Sequence, residues 1–499
     1  MATELINGFC KTGTAIFRDA GSGDYRPGAA AIDMGRTEAW MTGVNAVDLA
    51  GNPRISGEKP DIGCYEYVKG AVYAEIRPRK TSALVGEAVE FVVKTDLVSA
   101  SCEWTWGDGT TSITEGTTSH AFASAGDFPV QAIVTDLITG GAFTNDLVAT
   151  MRIRDRVVYV DANSKEPVWP YGDPAHAATN IYDAVDAAVD GCAVSLAAGI
   201  HCVTSQVVVS KAIAVFGATG RPDDVVLQMT GKNSRVANMN NADALLANVV
   251  IADGDLENHY QAETMNGGGV YFDSQGGTVS NCVFRNCNVA SWGGVGGAVY
   301  MAGGLLTHCV LSNCVQTKER ATEFGSVAYL CGSAVMRDCL VTDNVCTSNK
   351  PCANLVGTVY VSGSAKLVNS TITRNRSFAC SGVYASETAV DANAEVVNCI
   401  ISGNTTEGDP QLATWTGSAE KFRRCLGETA INDSCSVEPA SETFNGRYKL
   451  RKASKAVDTG LLGYDDSTLD IRGRPRLVGD AIDLGCAEFQ AQGLMLLVR

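Results

Sequence analysis

Two pairs of side chains and one acidic stretch carry the residue types that chemistry needs. Five anchors, Cys282, Cys309, Cys339, Ser370 and Cys399, stand 27, 30, 31 and 29 residues apart. One position before them lie Asn281, His308, Asp338, Asn369 and Asn398, so stacking successive units makes His308 and Asp338 neighbours. Four positions after the anchors, Asp343 falls beside Arg374 in the same way. An imidazole against a carboxylate can take and return a proton. A carboxylate with a guanidinium can abstract a proton while the cation holds the developing negative charge. Each pair also has a plainer reading. Asp343 with Arg374 reads as a surface ion pair between units, and His308 with Asp338 as a solvated polar column interrupted by one histidine. No second acid joins either pair in this register to give the two-carboxylate arrangement of most glycosidases. Asp253, Asp255 and Glu257, near His259, are acids that suit a bound cation such as calcium, and Asp253-Gly254-Asp255 reads equally as a turn.

Spacing excludes other chemistries. The 18 cysteines contain no Cys-x-x-Cys pair and no zinc-finger set with histidine. Gly293-Gly294-Val295-Gly296-Gly297 is glycine-rich, but no Gly-Lys-Ser/Thr follows it as a phosphate loop requires.

The elements that must position these residues are written in the same register. Two positions after the anchors come Phe284, Leu311, Val341, Ile372 and Ile401; three positions before come Val279, Leu306, Met336, Leu367 and Val396. Five positions after stand Cys287, Cys314, Asn344, Asn375 and Asn404, and each unit opens on a glycine-led stretch ending in tyrosine, from Gly269-Val270-Tyr271 to Gly382-Val383-Tyr384. A unit of this length with several short strands cannot bury its apolar positions alone, whereas stacked units share one continuous core. The pattern predicts a parallel β-helix, with equivalent residues about 4.8 Å apart up the stack. Asn344, Asn375 and Asn404 then form a ladder whose amides satisfy buried turn groups. Cys282, Cys309, Cys339 and Cys399 fill small inward positions, and their parallel side-chain vectors suit disulfides poorly, so mostly reduced thiols are expected. An amphipathic helix at about 178–190, capped by Thr179 or Asn180, is expected to cover the first rung.

The two ends of the chain repeat one another. Asp48 to Arg54 and Asp61 to Tyr67 correspond to Asp470 to Arg476 and Asp483 to Phe489, at a constant offset of 422 residues (476 − 54 and 489 − 67). Residues 1–70 therefore read as the closing segment of a preceding module, 155–442 as a β-helix and 443–499 as its own closing segment, homologous to 20–68. Between them, residues 71–154 show the short alternating stretches and turn clusters of an all-β sandwich. Asp108-Gly109 reads there as a tight turn and His120 as a packed strand residue rather than as ligands.

A net charge of −16 argues against nucleic-acid or anionic-membrane partners. No apolar run reaches the roughly 18 to 20 residues that span a bilayer, and the N-terminus lacks a signal-peptide pattern.

Within 71–154, Trp104-Thr105-Trp106-Gly107-Asp108-Gly109-Thr110, His120-Ala121-Phe122, Gly126-Asp127-Phe128 and Val134-Thr135-Asp136 resemble the PKD domain, an immunoglobulin-like module of extracellular proteins. Residues 155–490, and 1–68 as a fragment, resemble the right-handed parallel β-helix proteins of bacterial cell surfaces. The resemblance implies an all-β chain: a pectate-lyase-like solenoid preceded by a PKD-type sandwich and by the remnant of another β-helix module. It also implies an extracellular or surface location, and a monomeric module of a tandem array that binds polysaccharide or host glycan as an adhesin-like stalk. The alternative it carries is a polysaccharide lyase or glycoside hydrolase acting on the strand face. No cofactor is expected beyond calcium.

Overall fold

The computed structural model describes residues 17–19, 24–27, 31–38, 41, 46–51, 53–55, 58–67, 74–95, 100–137, 142–146, 150–257, 266–290, 294–318, 327–348, 357–377, 380–387, 393–406, 414–446, 448–464 and 467–489. They fall into two compact units. The first comprises Met1–Arg79, Val89–His120 and Pro129–Thr150, the second Lys80–Ala88, Ala121–Phe128 and Met151–Arg499.

In the first unit, Gln131–Asp136 alternates between half-buried and buried positions, as period-two patterning requires. It sits between Ala142–Asp146 and Ala100–Thr105 in an antiparallel sheet of four strands. Trp104 and Trp106 stack at 4.8 Å between ring centroids, with Phe91 set edge-on to both. Each buried indole N–H finds a hydroxyl, Thr114 for Trp104 (2.9 Å) and Ser112 for Trp106 (3.0 Å), which removes the cost of burying an unpaired donor. Asp108 accepts the Thr110 N–H (2.9 Å) in a turn flanked by Gly107 and Gly109 at φ of 80° and 89°. His120 stacks on Trp106 and lies 2.8 Å from the Asp108 carboxylate. The turn and the packed histidine expected at these positions are both present.

The second unit is the solenoid. Four parallel sheets run its length, two of ten strands, one of eight and one of six. The apolar columns pair in the predicted register: Phe284 with Leu311, Val341, Ile372 and Ile401 in turn, and Val279 with Leu306, Met336, Leu367 and Val396. All ten are fully buried. The asparagine ladder is formed as well. Asn375 accepts from the Asn344 backbone N–H (3.1 Å) and side-chain amide (3.0 Å), and donates to the Val341 carbonyl (2.9 Å) and to Asn404 (3.0 Å). No disulfide is formed among the described cysteines. Cys282, Cys309, Cys339 and Cys399 each donate to the carbonyl two residues earlier, at 3.0 to 3.3 Å.

The helix over the first rung is shorter than expected, Ile181–Ala187. Asn180 is its N-cap, accepting from the Asp183 N–H (3.0 Å), and Ile181, Ala184 and Ala187 face the core. Its C-terminal carbonyls are held by cations: Lys211 donates to Val185, Asp186 and Ala188, and Arg154 to Ala187.

The chain's two ends share one local build. Arg54 pairs with Glu66 and donates to the Gly63 carbonyl (2.6 Å); Arg476 lies 3.4 Å from Glu488 and donates to the Gly485 carbonyl (2.6 Å). Asp48 accepts the N–H of Ala50 (2.9 Å) and Glu66 (2.8 Å), as Asp470 accepts those of Arg472 (2.9 Å) and Glu488 (3.1 Å). Asp61 accepts the Asp33 N–H (2.8 Å), as Asp483 accepts that of Asp458 (2.8 Å). These segments have few ladder partners, so carboxylates serve the backbone donors that a sheet would have paired.

The C-terminal closing unit does not simply end the stack. It folds back along the solenoid's flank. Leu484, Ala456, Phe444 and Leu450 pack on Ile400 and Leu426, while Cys486 and Ala487 pack on Leu340. The Asn398 side chain exchanges two hydrogen bonds with the Leu461 backbone (2.9 and 2.8 Å), and Gly485 and Cys486 donate to the Asn398 carbonyl and the Thr371 hydroxyl (2.8 and 3.1 Å). Hence Leu340–Thr342 and Thr371–Thr373 are buried on both faces, where an open sheet would alternate.

Candidate functional site

The chemistry read from the register is reorganised by one backbone feature. Asn281, His308, Asp338, Asn369 and Asn398 all have positive φ, between 45° and 55°. Asn286, Asn313, Asp343 and Arg374 do too, between 52° and 61°, and Gly403 closes that column at 73°. Side chains pay for this left-handed conformation, and asparagine, aspartate and histidine are enriched in it. Both columns are therefore sharp corners between sheets, and residue type there answers first to the corner.

His308 and Asp338 do not form an accessible acid/base pair. Thr307 Oγ1 lies 2.8 Å from His308 Nδ1, and Nε2 lies 3.0 Å from the Leu469 carbonyl of the closing unit. A carbonyl only accepts, so Nε2 carries a proton, and both ring nitrogens are committed to partners within the protein. Asp338 is fully buried, 3.6 Å from Arg476, so solvent and substrate cannot reach it. The physical cause is the return of the closing unit over this flank, which linear spacing does not reveal. Asp343 and Arg374 do meet, at 2.7 Å, as a half-exposed ion pair between rungs. Such a pair is worth at most about 1 kcal/mol and is fully explained as surface structure.

The cation candidates do not converge. Asp253 accepts amides from Gln228 (2.8 Å) and Asn286 (3.2 Å), Asp255 accepts from Asn288 (2.8 Å), and Glu257 is exposed. Asp253 also has a left-handed φ of 62°, which favours the turn reading. His259 lies outside the described residues. Among the described residues no three His, Cys, Asp or Glu side chains stand close enough to hold a metal ion.

Two features were not singled out from the sequence as sites. The first is a cleft of about 620 Å³ where the closing unit overhangs the solenoid. Arg221, Asn281, His308, Ser467 and Arg472 are among its lining residues. The Arg221 side chain is 79% exposed, with Asp224 at the outer limit of ion-pair range (3.9 Å). Arg472 is exposed and donates to the Tyr448 carbonyl (3.3 Å). The Asn281 amide donates to Gly220 and Asn248 and the Ser467 hydroxyl to Leu469, which leaves the two guanidinium groups as the donors that can take hydroxylated or anionic ligands on this concave surface. No sequence signal marks this cleft, because its two walls lie far apart in the chain.

The second feature is a column of tyrosines. Tyr271, Tyr300, Tyr329, Tyr360 and Tyr384 occupy one outward register, with ring centroids 5.1, 5.5, 4.4 and 5.5 Å apart and planes within 13° of parallel. Arg235 lies over the Tyr271 ring at 5.0 Å and extends the stack. Burial raises the Tyr300 and Tyr329 hydroxyls well above the usual phenol range. Each interior ring face is covered by its neighbour and Tyr360 is buried, so the column lacks the open faces on which sugars stack. The glycine-led starts were the signal that could have found it.

Rungs of parallel strands with inward ladders and an N-terminal capping helix define a parallel β-helix protein. The sequence of residues 233–423 matches the family model for the right-handed beta helix region, and residues 73–139 match that for the PKD domain. The chain is a right-handed parallel β-helix protein with a PKD domain. No curated protein matches it. Among solved structures it is similar to a pectate lyase, Pel9A, with 12% identity over 67% of this chain and 97% of that one, and a TM-score of 0.38. It is also similar to Escherichia coli YbhC, with 12% identity over 60% and 80% of the two chains and a TM-score of 0.25. At those scores neither likeness says anything of this chain's chemistry. Among the described residues no helix is long and apolar enough to cross a membrane.

Proposed function

We propose that the protein is a secreted or surface-displayed repeat protein whose β-helix is an adhesin-like, carbohydrate-binding module of a tandem array. The observation that carries the reading is the cleft beneath the closing unit. Arg221 and Arg472, both exposed, line a concave surface there. The residues best suited to proton transfer are sealed or committed: Asp338 is buried and both His308 nitrogens have partners. Binding without turnover is the activity such a cleft supports. The duplicated closing unit favours an array, in which modest affinities combine by multivalency.

The test is to present the full chain, with calcium, to a panel of acidic and neutral polysaccharides, measuring binding and the appearance of new reducing ends or unsaturated sugars. Saturable binding that falls on Arg221→Ala or Arg472→Ala, without product, is expected. Product above a heat-killed control establishes a lyase or hydrolase instead. Flat isotherms across the panel reduce the protein to a spacer.

A further inference from the structure

The two closing units have the same internal build but differ on one face. Leu484 and Cys486 are each 2% exposed and Ala487 is 5% exposed, packed on the solenoid's flank. Their counterparts 422 residues earlier are Ile62 and Tyr65, both half-buried, and Cys64, which is exposed. Gly485 is buried, giving its N–H to the Asn398 carbonyl, whereas Gly63 is exposed. Leu49, the counterpart of half-buried Ile471, is 69% exposed. The pairs that hold each unit together, Arg54 with Glu66 and Arg476 with Glu488, are present in both. Among the described residues the first copy carries the same frame contacts, and the face that packs in the second copy is more exposed in the first.

We propose that residues 31–67 are a clasp whose seat is the flank of another parallel β-helix module of the same kind, the one that precedes it in the array. In the second copy that seat consists of two apolar outward positions, Leu340 and Ile400, two rungs apart with Thr371 between them, and a corner asparagine exchanging two hydrogen bonds with the clasp backbone. A surface of that chemistry is what Leu49, Ile62, Cys64 and Tyr65 fit. Within the frame, the Asp61, Asp48 and Glu66 carboxylates accept the backbone N–H groups of Asp33, Ala50, Asp61 and Glu66. Exposed apolar side chains on a preorganised frame mark a contact surface. The inference rests on the tandem-array part of the reading above and is independent of the glycan cleft.

The experiment replaces residues 456–489 of the full chain with a second copy of residues 31–67. Thermal unfolding and the rate of native-state cysteine alkylation are then followed, resolved by peptide mass. In the parent, exposed Cys64 is expected to react on the order of 100-fold faster than Cys486, which is buried and reached only through local opening. In the chimera the grafted cysteine is expected to slow to within a few-fold of Cys486. A cooperatively unfolding chimera whose grafted cysteine reacts as fast as Cys64 overturns the proposal and leaves the glycan reading untouched. Should the chimera not fold, Leu484→Ile with Ala487→Tyr places the first unit's face on the second unit's frame. Retained protection of Cys486 then supports the proposal, and its loss overturns it.

Discussion

The Arg476 guanidinium lies 3.6 Å from the Asp338 carboxylate, with side chains 3% and 0% exposed. A residue of the closing unit thus neutralises a corner of the solenoid. Removing one partner of a buried ion pair leaves the other charge uncompensated, which costs about 3 to 5 kcal/mol. Arg476→Ala is expected to destabilise the protein by that order in urea unfolding, and Arg476→Ala with Asp338→Asn to recover a substantial part of it. Additive losses in this double-mutant cycle would separate the two residues energetically.

One arginine cannot balance all the acids gathered around it. Burial, and then the neighbouring Asp483 carboxylate, push Glu488 up to about 8, and burial raises Asp483 as well. Folded Glu488 therefore keeps its proton in a range where the unfolded side chain, with an ordinary value of 4.5, has lost it. The fold binds the extra proton. The resulting stabilisation is complete below about pH 4.5 and is lost as pH rises through about 8, with a limiting slope of about 1.4 kcal/mol per pH unit. Melting temperatures between pH 5 and 8.5 are expected to fall with pH, and Glu488→Gln to flatten that slope. A Gln variant with an unchanged slope would assign the pH dependence to other groups.

The ladders permit a contrast between neighbouring rungs. Asn375 makes two acceptor and two donor contacts in the core, so Asn375→Ala orphans buried groups on both adjacent rungs, at about 2 to 4 kcal/mol. Ser370 accepts the Cys339 N–H at 3.2 Å in the column where Cys309 accepts the Cys282 N–H at 3.4 Å. Ser370→Cys is therefore expected to change stability by less than about 1 kcal/mol. Urea midpoints of the two variants decide whether the ladders are read by hydrogen bonding or by volume.

The solenoid was legible because its register is local. Phe284 to Ile401 and Val279 to Val396 recur at almost constant spacing, and apolar residues that recur so must share a face. The asparagine ladder followed from the same counting. His308 with Asp338 misled because adjacency in a column says nothing about φ or about what later folds over it. The return of residues 456–489 along the flank is a tertiary event, decided by Leu340, Asn398 and Ile400 offering a seat. The cleft with Arg221 and Arg472 exists only after that return.

His308 then becomes a test of which demand its position answers. Its φ of 54° favours asparagine, the residue at three of the five equivalent corners. His308→Asn is expected to leave the melting temperature within a few degrees of the parent. His308→Val, a β-branched residue forced into the left-handed region, is expected to cost about 1 to 3 kcal/mol. Glycan binding should likewise survive His308→Asn while falling on Arg221→Ala or Arg472→Ala, because the arginines are exposed at the cleft and the imidazole is committed to Thr307 and Leu469. Loss of binding in a stable His308→Asn protein would show that the imidazole itself meets the ligand, and would move the site from the rim of the cleft to its floor.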